Sequence, residues 1–364
     1  MEKICVSVTN DLITDQRVHK ICTTLLYSGL DVILIGRRIS GKKHLDREYK
    51  TYRMKLLFKK SAMFYAEYNL RLFFFLLFMR TNMLLANDTD TLLANFLVSK
   101  IKRKRLIFDA HELFPEVPEI INKPFVKKFW TKIEDFIFPK LRNSYTVCQS
   151  VSDYYKKKYN INMQVVRNIP FEYFVAQKQM IEKNGKKVIL YQGAVNVGRG
   201  LECVIDAMQY LENCIFYIIG DGDILETLRQ KVQRSSLENK VIFTGRVSFD
   251  LLSSYTVCAD LGVNLLENKG LNYYFSLPNR IFDYIRSEVP VLSVDFPEIR
   301  RIIEKYGVGK LVSNFNPVHL ANVIKEMLAE EKNITGFSLA NRELTWENEI
   351  KQLMPLFSNC EIKK

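Results

Sequence analysis

Short β-branched runs alternate with longer helical patterns along this chain, and the alternation runs twice. In the first half ICVSV, DVILIG, NMLLA, RLIFDA, YTVCQ and QVVRN read as strands. Helical stretches separate them; in RVHKICTTLLYSG, Val18, Ile21, Leu25 and Leu26 fall on one face. In the second half KVILYQG, CIFYIIG, VIFTG, LGVNLL and PVLSV read as strands, divided by GLECVIDAMQYL, DILETLRQKV and SLPNRIFDYIRS. Such alternation builds parallel sheets covered on both faces. The pattern predicts two doubly wound α/β domains, with a polar connector from about Phe171 to Lys187. A chain of 364 residues is long enough to fill two ordinary cores.

Composition narrows the class. Hydrophobic residues are 48% and charged residues 26%, as in a folded soluble protein. The formal net charge of +13 suits an anionic partner: nucleotide phosphates, nucleic acid or an anionic membrane face. The seven cysteines contain no C-x-x-C and read as reduced, buried thiols of a cytosolic protein. The four histidines, 19, 44, 111 and 319, are scattered, so no metal site is expected. MEKICVSVTNDLITDQR turns polar too early for a secretory signal. LFFFLLFM, closed by Arg71 and Arg80, is far shorter than the roughly 20 residues of a spanning helix.

In doubly wound sheets ligands bind outside the carboxyl ends of the strands, so residues just after strands carry the information. The first strand runs into NDLITDQRVHK without the G-x-G-x-x-G of a dinucleotide enzyme. Asn10, Asp11 and Asp15 stand there instead, with Asp15 suited to capping the next helix. Asp88 and Asp90 follow NMLLA, and Asp90 reads as a cap for TLLANFLVSKIK. His111 and Glu112 follow RLIF, where His111 is either structural or a partner for a substrate hydroxyl or a developing charge. Gly220 and Gly222 form a tight turn with Asp223 as a cap, or an incomplete phosphate loop.

Gly193 ends a strand, and Arg199 then stands at a helix start, where a cation is out of place unless an anion lies between. A solvated loop arginine is the plainer reading. YFSLPNRIFDY offers a similar choice. Pro278, with no N–H to lose, suits a first helical turn, and the free backbone N–H groups around Ser276, Leu277 and Asn279 face outward beside Arg280. The plainer reading is a capped helix with an Arg280–Asp283 surface pair. Two arginine-bearing helix starts at one sheet edge suit a diphosphate. The basic, aromatic stretch RMKLLFKKSAMFYAEYNLRLFFFLLFMR reads as a buried helix, or as a face that also docks on anionic lipid; IKRKR either extends that patch or is a solvated helix end.

These segments, in this order, resemble the family 4 retaining glycosyltransferases of GT-B fold: NDLITDQRVHKI, NDTDTLLANFLVSKIK, FDAHELFPEVPEI, YQGAVNVGRGLECVIDAM, FTGRV and LPNRIFDY. The resemblance implies two Rossmann-like domains facing a central cleft. It implies an acceptor-binding domain over 1–175, a nucleotide-sugar domain over 176–342, and a terminal helix over 343–364 that crosses back. In that frame Gly193, Arg199 and Arg280 serve the donor diphosphate, and Ser276 to Asn279 hold its distal phosphate. Asp283 takes the ribose diol, Arg246 and Val247 lie near the base, and His111 lies near the transferred sugar. His111, Arg199 and Arg280 form the catalytic set. Asn10, Asp11, Asp88 and Glu112 line the acceptor side. Two departures stand out: Phe275 occupies the place of a family glutamate, and Ala194 that of a basic residue whose charge Arg280 would supply.

The implied activity is retaining transfer from a UDP- or GDP-linked sugar to a glycan or polyprenyl-linked acceptor, as in surface polysaccharide biosynthesis. No cofactor, metal or nucleic acid is implied. The implied location is cytoplasmic, peripheral on the inner face of the plasma membrane. A GT-B-type sugar-nucleotide epimerase and a non-catalytic anion-binding protein are the alternatives.

Overall fold

The computed structural model describes residues 1–13, 15–38, 45–170, 181 and 183–358. His44, Cys360 and most of the expected connector lie outside these residues. The chain divides into two compact units, Met1–Asn168 with Glu349–Lys364, and Ile169–Asn348.

The first unit is a seven-stranded parallel sheet of β1 (Lys3–Asp11), β2 (Asp31–Arg37), β3 (Lys50–Met54), β4 (Met83–Asn87), β5 (Arg105–Ala110), β6 (Asn143–Thr146) and β7 (Gln164–Val165), in the order β3-β2-β1-β4-β5-β6-β7. Its helices are α1 (Gln16–Tyr27), α2 (Ser61–Phe78), α3 (Thr89–Ile101), α4 (Pro118–Ile121), α5 (Pro124–Ile137) and α6 (Gln149–Tyr159). Cys5 of β1 sits between Ile33 and Leu84 of its neighbours. These strands pack against Phe64, Tyr68, Leu72 and Leu76, which recur every four residues along α2. The opposite stripe of α2, Met63, Leu70, Phe74 and Phe78, is exposed. The segment is therefore a core helix on one side and an apolar surface on the other.

The second unit repeats the plan with β8 (Lys187–Gln192), β9 (Cys214–Ile219), β10 (Val241–Gly245), β11 (Leu261–Asn264), β12 (Val291–Val294) and β13 (Gly309–Val312), ordered β10-β9-β8-β11-β12-β13. The remaining helices are α7 (Leu201–Ala207), α8 (Leu225–Arg234), α9 (Phe249–Thr256), α10 (Leu271–Tyr274), α11 (Asn279–Arg286), α12 (Pro297–Tyr306), α13 (Pro317–Ala329), α14 (Ile334–Glu343) and α15 (Trp346–Leu353). The expected terminal helix over NRELTWENEIKQLMPLF is interrupted between α14 and α15.

The two parallel α/β sheets agree with the fold class read from the alternation. β3 and β13 escape that reading. Both are edge strands with one neighbour, and KTYRM and GKLV carry the charged residues and glycine that edges tolerate. In each sheet the strand order reverses between the first and fourth strands, at β1/β4 and β8/β11, which is where such folds open a crevice for ligands.

Candidate functional site

In the second unit, glycine turns shape the carboxyl edge of the sheet. Gly193 follows β8 at φ +133°, and a Cβ there would come within 3.0 Å of the Arg280 guanidinium. Gly220 follows β9 at φ +151°, and a Cβ there would lie 1.8 Å from the Gly193 carbonyl. The Gly193 amide donates to the Ile219 carbonyl and the Gly220 amide to that of Gly245, at 2.9 and 3.0 Å. The three strand ends are thus held together. They open a pocket of ≈ 640 Å³ lined by Gly193, Ala194, Gly220 to Asp223, Arg246 and Val247.

Arg280 flanks this edge. Its side chain is 9% exposed, its guanidinium carbon lies 4.3 Å from the Tyr191 ring centroid, and buried Nη1 has no hydrogen-bond partner. Arg199 is alike: its guanidinium lies 5.4 Å from the Tyr273 ring centroid, and buried Nε has no partner. Neither makes an ion pair among the described residues. A buried cation without an anion is costly, and Arg280 with half-buried Arg199 at the same strand edge makes a basin for negative charge.

Several local expectations are corrected here. Arg280 does not pair with Asp283; Asp283 Oδ2 accepts from Gln192 Nε2 at 2.8 Å, and Gln192 Oε1 accepts from Thr256 Oγ1 at 2.8 Å. Burial of Ile281, Phe282 and Ile285 fixes the rotation of α11 and turns Arg280 and Tyr284 inward. Pro278 is the N-cap, one residue before the first turn, and the cap makes no side-chain bond. The amide and hydroxyl of Ser276 both donate to the Tyr273 carbonyl, so they do not face outward. Asp223 does not cap α8, whose N-cap is Ile224; its amide donates to Asn196 Oδ1 at 3.2 Å. Gly200, at φ +68°, is the N-cap of α7.

The first unit carries a different device at its own switch point. Arg17, in the first turn of α1, donates from Nε and Nη2 to both oxygens of Asp109, at 3.1 and 2.9 Å, and from Nη1 to the Val166 carbonyl. Asp109 Oδ2 also meets His111 Nε2 at 2.9 Å. His111 Nδ1 lies 3.2 Å from Asp88 Oδ2, and the His111 amide donates to Asp88 Oδ1 at 2.8 Å. Burial would lower the His111 pKa, but Asp109 and then Asp88 raise it well above the ordinary histidine value. Burial would raise the Asp109 pKa, yet Arg17 and His111 bring it down to about 2. His111 is thus an imidazolium with both ring nitrogens engaged.

Asp90 is not a cap. It is buried in the first turn of α3 and accepts from Thr9 Oγ1 at 2.5 Å, while Asp88 takes the N-cap position at φ 58°. Burial, reinforced by Asp88, pushes Asp90 up to about 8. Asp15 does cap α1, accepting from the Val18 amide at 3.0 Å. Asn10 donates to Asp15 at 2.9 Å, and Arg53 donates to Asp11 at 3.3 Å. Of the first-unit candidates, therefore, Asp88 and His111 are joined, and Asn10 and Asp11 belong to separate contacts. Glu112 is half-buried beside them in sequence.

Residues 186–330 match the family described as "Glycosyl transferases group 1". The match falls within the second unit, which is similar to the group 1 glycosyltransferases over these residues. Among curated relatives, it is 23% identical over 295 residues to the chitobiosyldiphosphodolichol beta-mannosyltransferase of Candida albicans, spanning 71% of this chain and 63% of that one. It is 28% identical over 153 residues to the probable glycosyltransferase WbjE of Pseudomonas aeruginosa, spanning 40% and 37%. The chain thus spans less than two thirds of the length of these relatives. Solved structures agree on the GT-B fold. Sucrose-phosphate synthase of Thermosynechococcus elongatus superposes with a TM-score of 0.79 at 13% identity, covering 98% of each chain. Anabaena HepE in complex with UDP-glucose gives 0.72 at 13%, covering 98% and 99%.

Some polar groups of the two sheets escaped the sequence reading. Asp109 was available, because a carboxylate inside the strand RLIFDA must find a buried partner. Arg17 gave no signal, since 92 residues separate it from Asp109. Glu267 follows β11, and its amide donates to the Gly198 carbonyl at 3.0 Å, beside Arg199. Looking just past strand ends would have found it. Among the described residues no cluster of three or more His, Cys, Asp or Glu could hold a metal, and no helix is long and apolar enough to cross a membrane.

Proposed function

We propose that this protein is a retaining glycosyltransferase that moves a sugar from a nucleotide diphosphate sugar to a glycan or a lipid-carrier-linked acceptor. The observation that carries the reading is Arg280, buried against Tyr191 with an unpartnered Nη1 at the Gly193 turn. A diphosphate at this edge gives Arg280 and Arg199 their missing counter-charge. The same two cations then stabilise the charge that grows on the leaving diphosphate as the glycosidic bond breaks. The freed phosphate oxygen takes the acceptor proton on the same face, so retention needs no dedicated base. Asp283, oriented by Gln192, serves the ribose diol; Arg246 and Val247 border the base. His111, with both ring nitrogens held by Asp109 and Asp88, positions this edge of the first sheet and does not act as a base.

The donor is UDP-linked in this reading, in line with the UDP-glucose of the HepE complex. The acceptor is lipid-borne and the protein works at the cytoplasmic membrane face, which the exposed stripe of α2 supports. Relatives carry both "beta-mannosyltransferase" and "alpha-monoglucosyldiacylglycerol synthase" in their names, so the product anomer is the telling stereochemical measurement. Thermal shifts against UDP, GDP, ADP and their sugars should give the largest rise with a UDP compound. NMR of the product should show the anomeric configuration of the donor. No shift with any nucleotide sinks the reading, and an inverted product sinks retention.

A further inference from the structure

A second cationic pocket lies at the other edge of the first sheet. It measures ≈ 730 Å³, and Lys100, Arg103, Lys104, Arg105, Lys140 and Arg142 line it with no carboxylate among them. Arg105 opens β5 and Asn143 opens β6, so this is the amino edge of the strands. His111, six residues after Arg105, stands ~20 Å along β5. The pocket is therefore separate from the carboxyl edge where the sugar chemistry is placed.

Cations commonly gather where helices end, and Lys102 beside the pocket and Arg105 within it do only that. Lys102 donates to the Leu77 and Met79 carbonyls at the end of α2, at 2.9 and 2.6 Å. Arg105 donates to the Leu356 and Ser358 carbonyls at 2.6 and 2.8 Å. Lys100, Arg103, Lys104, Lys140 and Arg142 remain, and none of them forms an ion pair among the described residues. Lys140 instead rests 3.3 Å from the Phe136 ring centroid, and Lys100 lies 5.3 Å from that of Phe96. Five unneutralised cations exceed what the ends of three short helical segments require.

The surroundings identify the occupant. α2, α3 and α5 form one layer on the sheet, and their last two turns expose Phe74, Phe78, Leu97, Ile101 and Phe136. A soluble phosphate compound has no use for an apolar rim. A membrane does: the rim enters the acyl boundary while the cations meet phosphate. We infer that this pocket is a headgroup site for an anionic phospholipid, and that it seats the α2–α3–α5 layer on the bilayer. The inference rests on the membrane-facing part of the proposed function and names where that contact is made.

The experiment is sedimentation with vesicles of phosphatidylglycerol and phosphatidylcholine, against phosphatidylcholine alone. Wild-type protein should bind the anionic vesicles. Lys104→Glu/Arg142→Glu should weaken that binding about tenfold or more. The equal charge change Lys59→Glu/Lys60→Glu, at the other end of α2, should weaken it less. Equal losses in the two variants overturn the pocket in favour of general charge attraction. So does unchanged binding by the pocket variant. Binding of inorganic phosphate that leaves vesicle binding intact overturns the lipid assignment. Release of UDP from donor by the pocket variant in solution separates the two readings. If donor turnover persists while vesicle binding falls, both stand; if wild-type protein binds vesicles through this pocket but turns over no donor, the transferase reading alone fails.

Discussion

The two sheets open at equivalent switch points, yet their polar groups are in opposite states. In the first unit Arg17, Asp109, His111 and Asp88 satisfy one another. In the second, Arg280 and Arg199 are packed on aromatic rings with buried nitrogens left unbonded. A completed network is a positioning device: it fixes one proton arrangement and spends no charge on a ligand. An incomplete one costs stability until an anion arrives, and that cost can only be recovered by binding. The same fold therefore carries a finished site and a waiting one.

Removing one member of each set should break the comparison in different ways. Asp109→Ala leaves Arg17 and His111 buried without their shared carboxylate and should cost about 3–5 kcal/mol in chemical denaturation. The pH profile should change with it. The Asp109 pKa is depressed to about 2, so its stabilisation is present above the ordinary carboxylate range and is lost as pH falls toward 2. The His111 pKa is raised, so its stabilisation is complete below about 6.5 and is lost as pH rises through its folded value. The variant should lose the first slope and part of the second, since Asp88 still holds His111. A variant as stable as wild type across this range would show that the network is not coupled.

Arg280→Ala should do the reverse. Donor turnover should fall about 10²–10³-fold, the size expected when one preorganised stabiliser of the leaving charge is removed. The melting temperature of the unliganded protein should hold or rise, because an unpaired buried cation has gone. Unchanged kinetics would remove Arg280 from the site. A large loss of stability would make it a structural residue, and the contrast between the units would fail.

Strand and helix periodicity made the two sheets legible, and the strand-end rule led to Gly193, Asp88 and His111 before any geometry was known. What stayed hidden depends on side-chain direction or distant partners. Arg280 and Asp283 look like a surface pair three residues apart, but α11 is rotated by Ile281, Phe282 and Ile285 so that the arginine faces Tyr191. Asp90 looks like a cap, but the helix starts two residues earlier, with Asp88 as its N-cap, and draws Asp90 inward to Thr9. The basic run IKRKR shows its charge plainly. Only the tertiary fold brings Lys140 and Arg142 up to it.

The smallest test concerns the helix starts themselves. Asp15 caps α1 by accepting from the Val18 amide, and Asn10 steadies its other oxygen. Pro278 caps α11 with no side-chain acceptor at all. If the first unit is finished and the second waiting, the α1 cap is purely structural. Asp15→Ala should then cost about 1 kcal/mol of stability, the usual value of a lost N-cap, and leave the donor Michaelis constant where it was. The measurement pairs an unfolding curve with donor kinetics on the same preparation. A shifted Michaelis constant with unchanged stability would mean that the α1 start also answers to a ligand, and the two units would be less different than their hydrogen bonds imply.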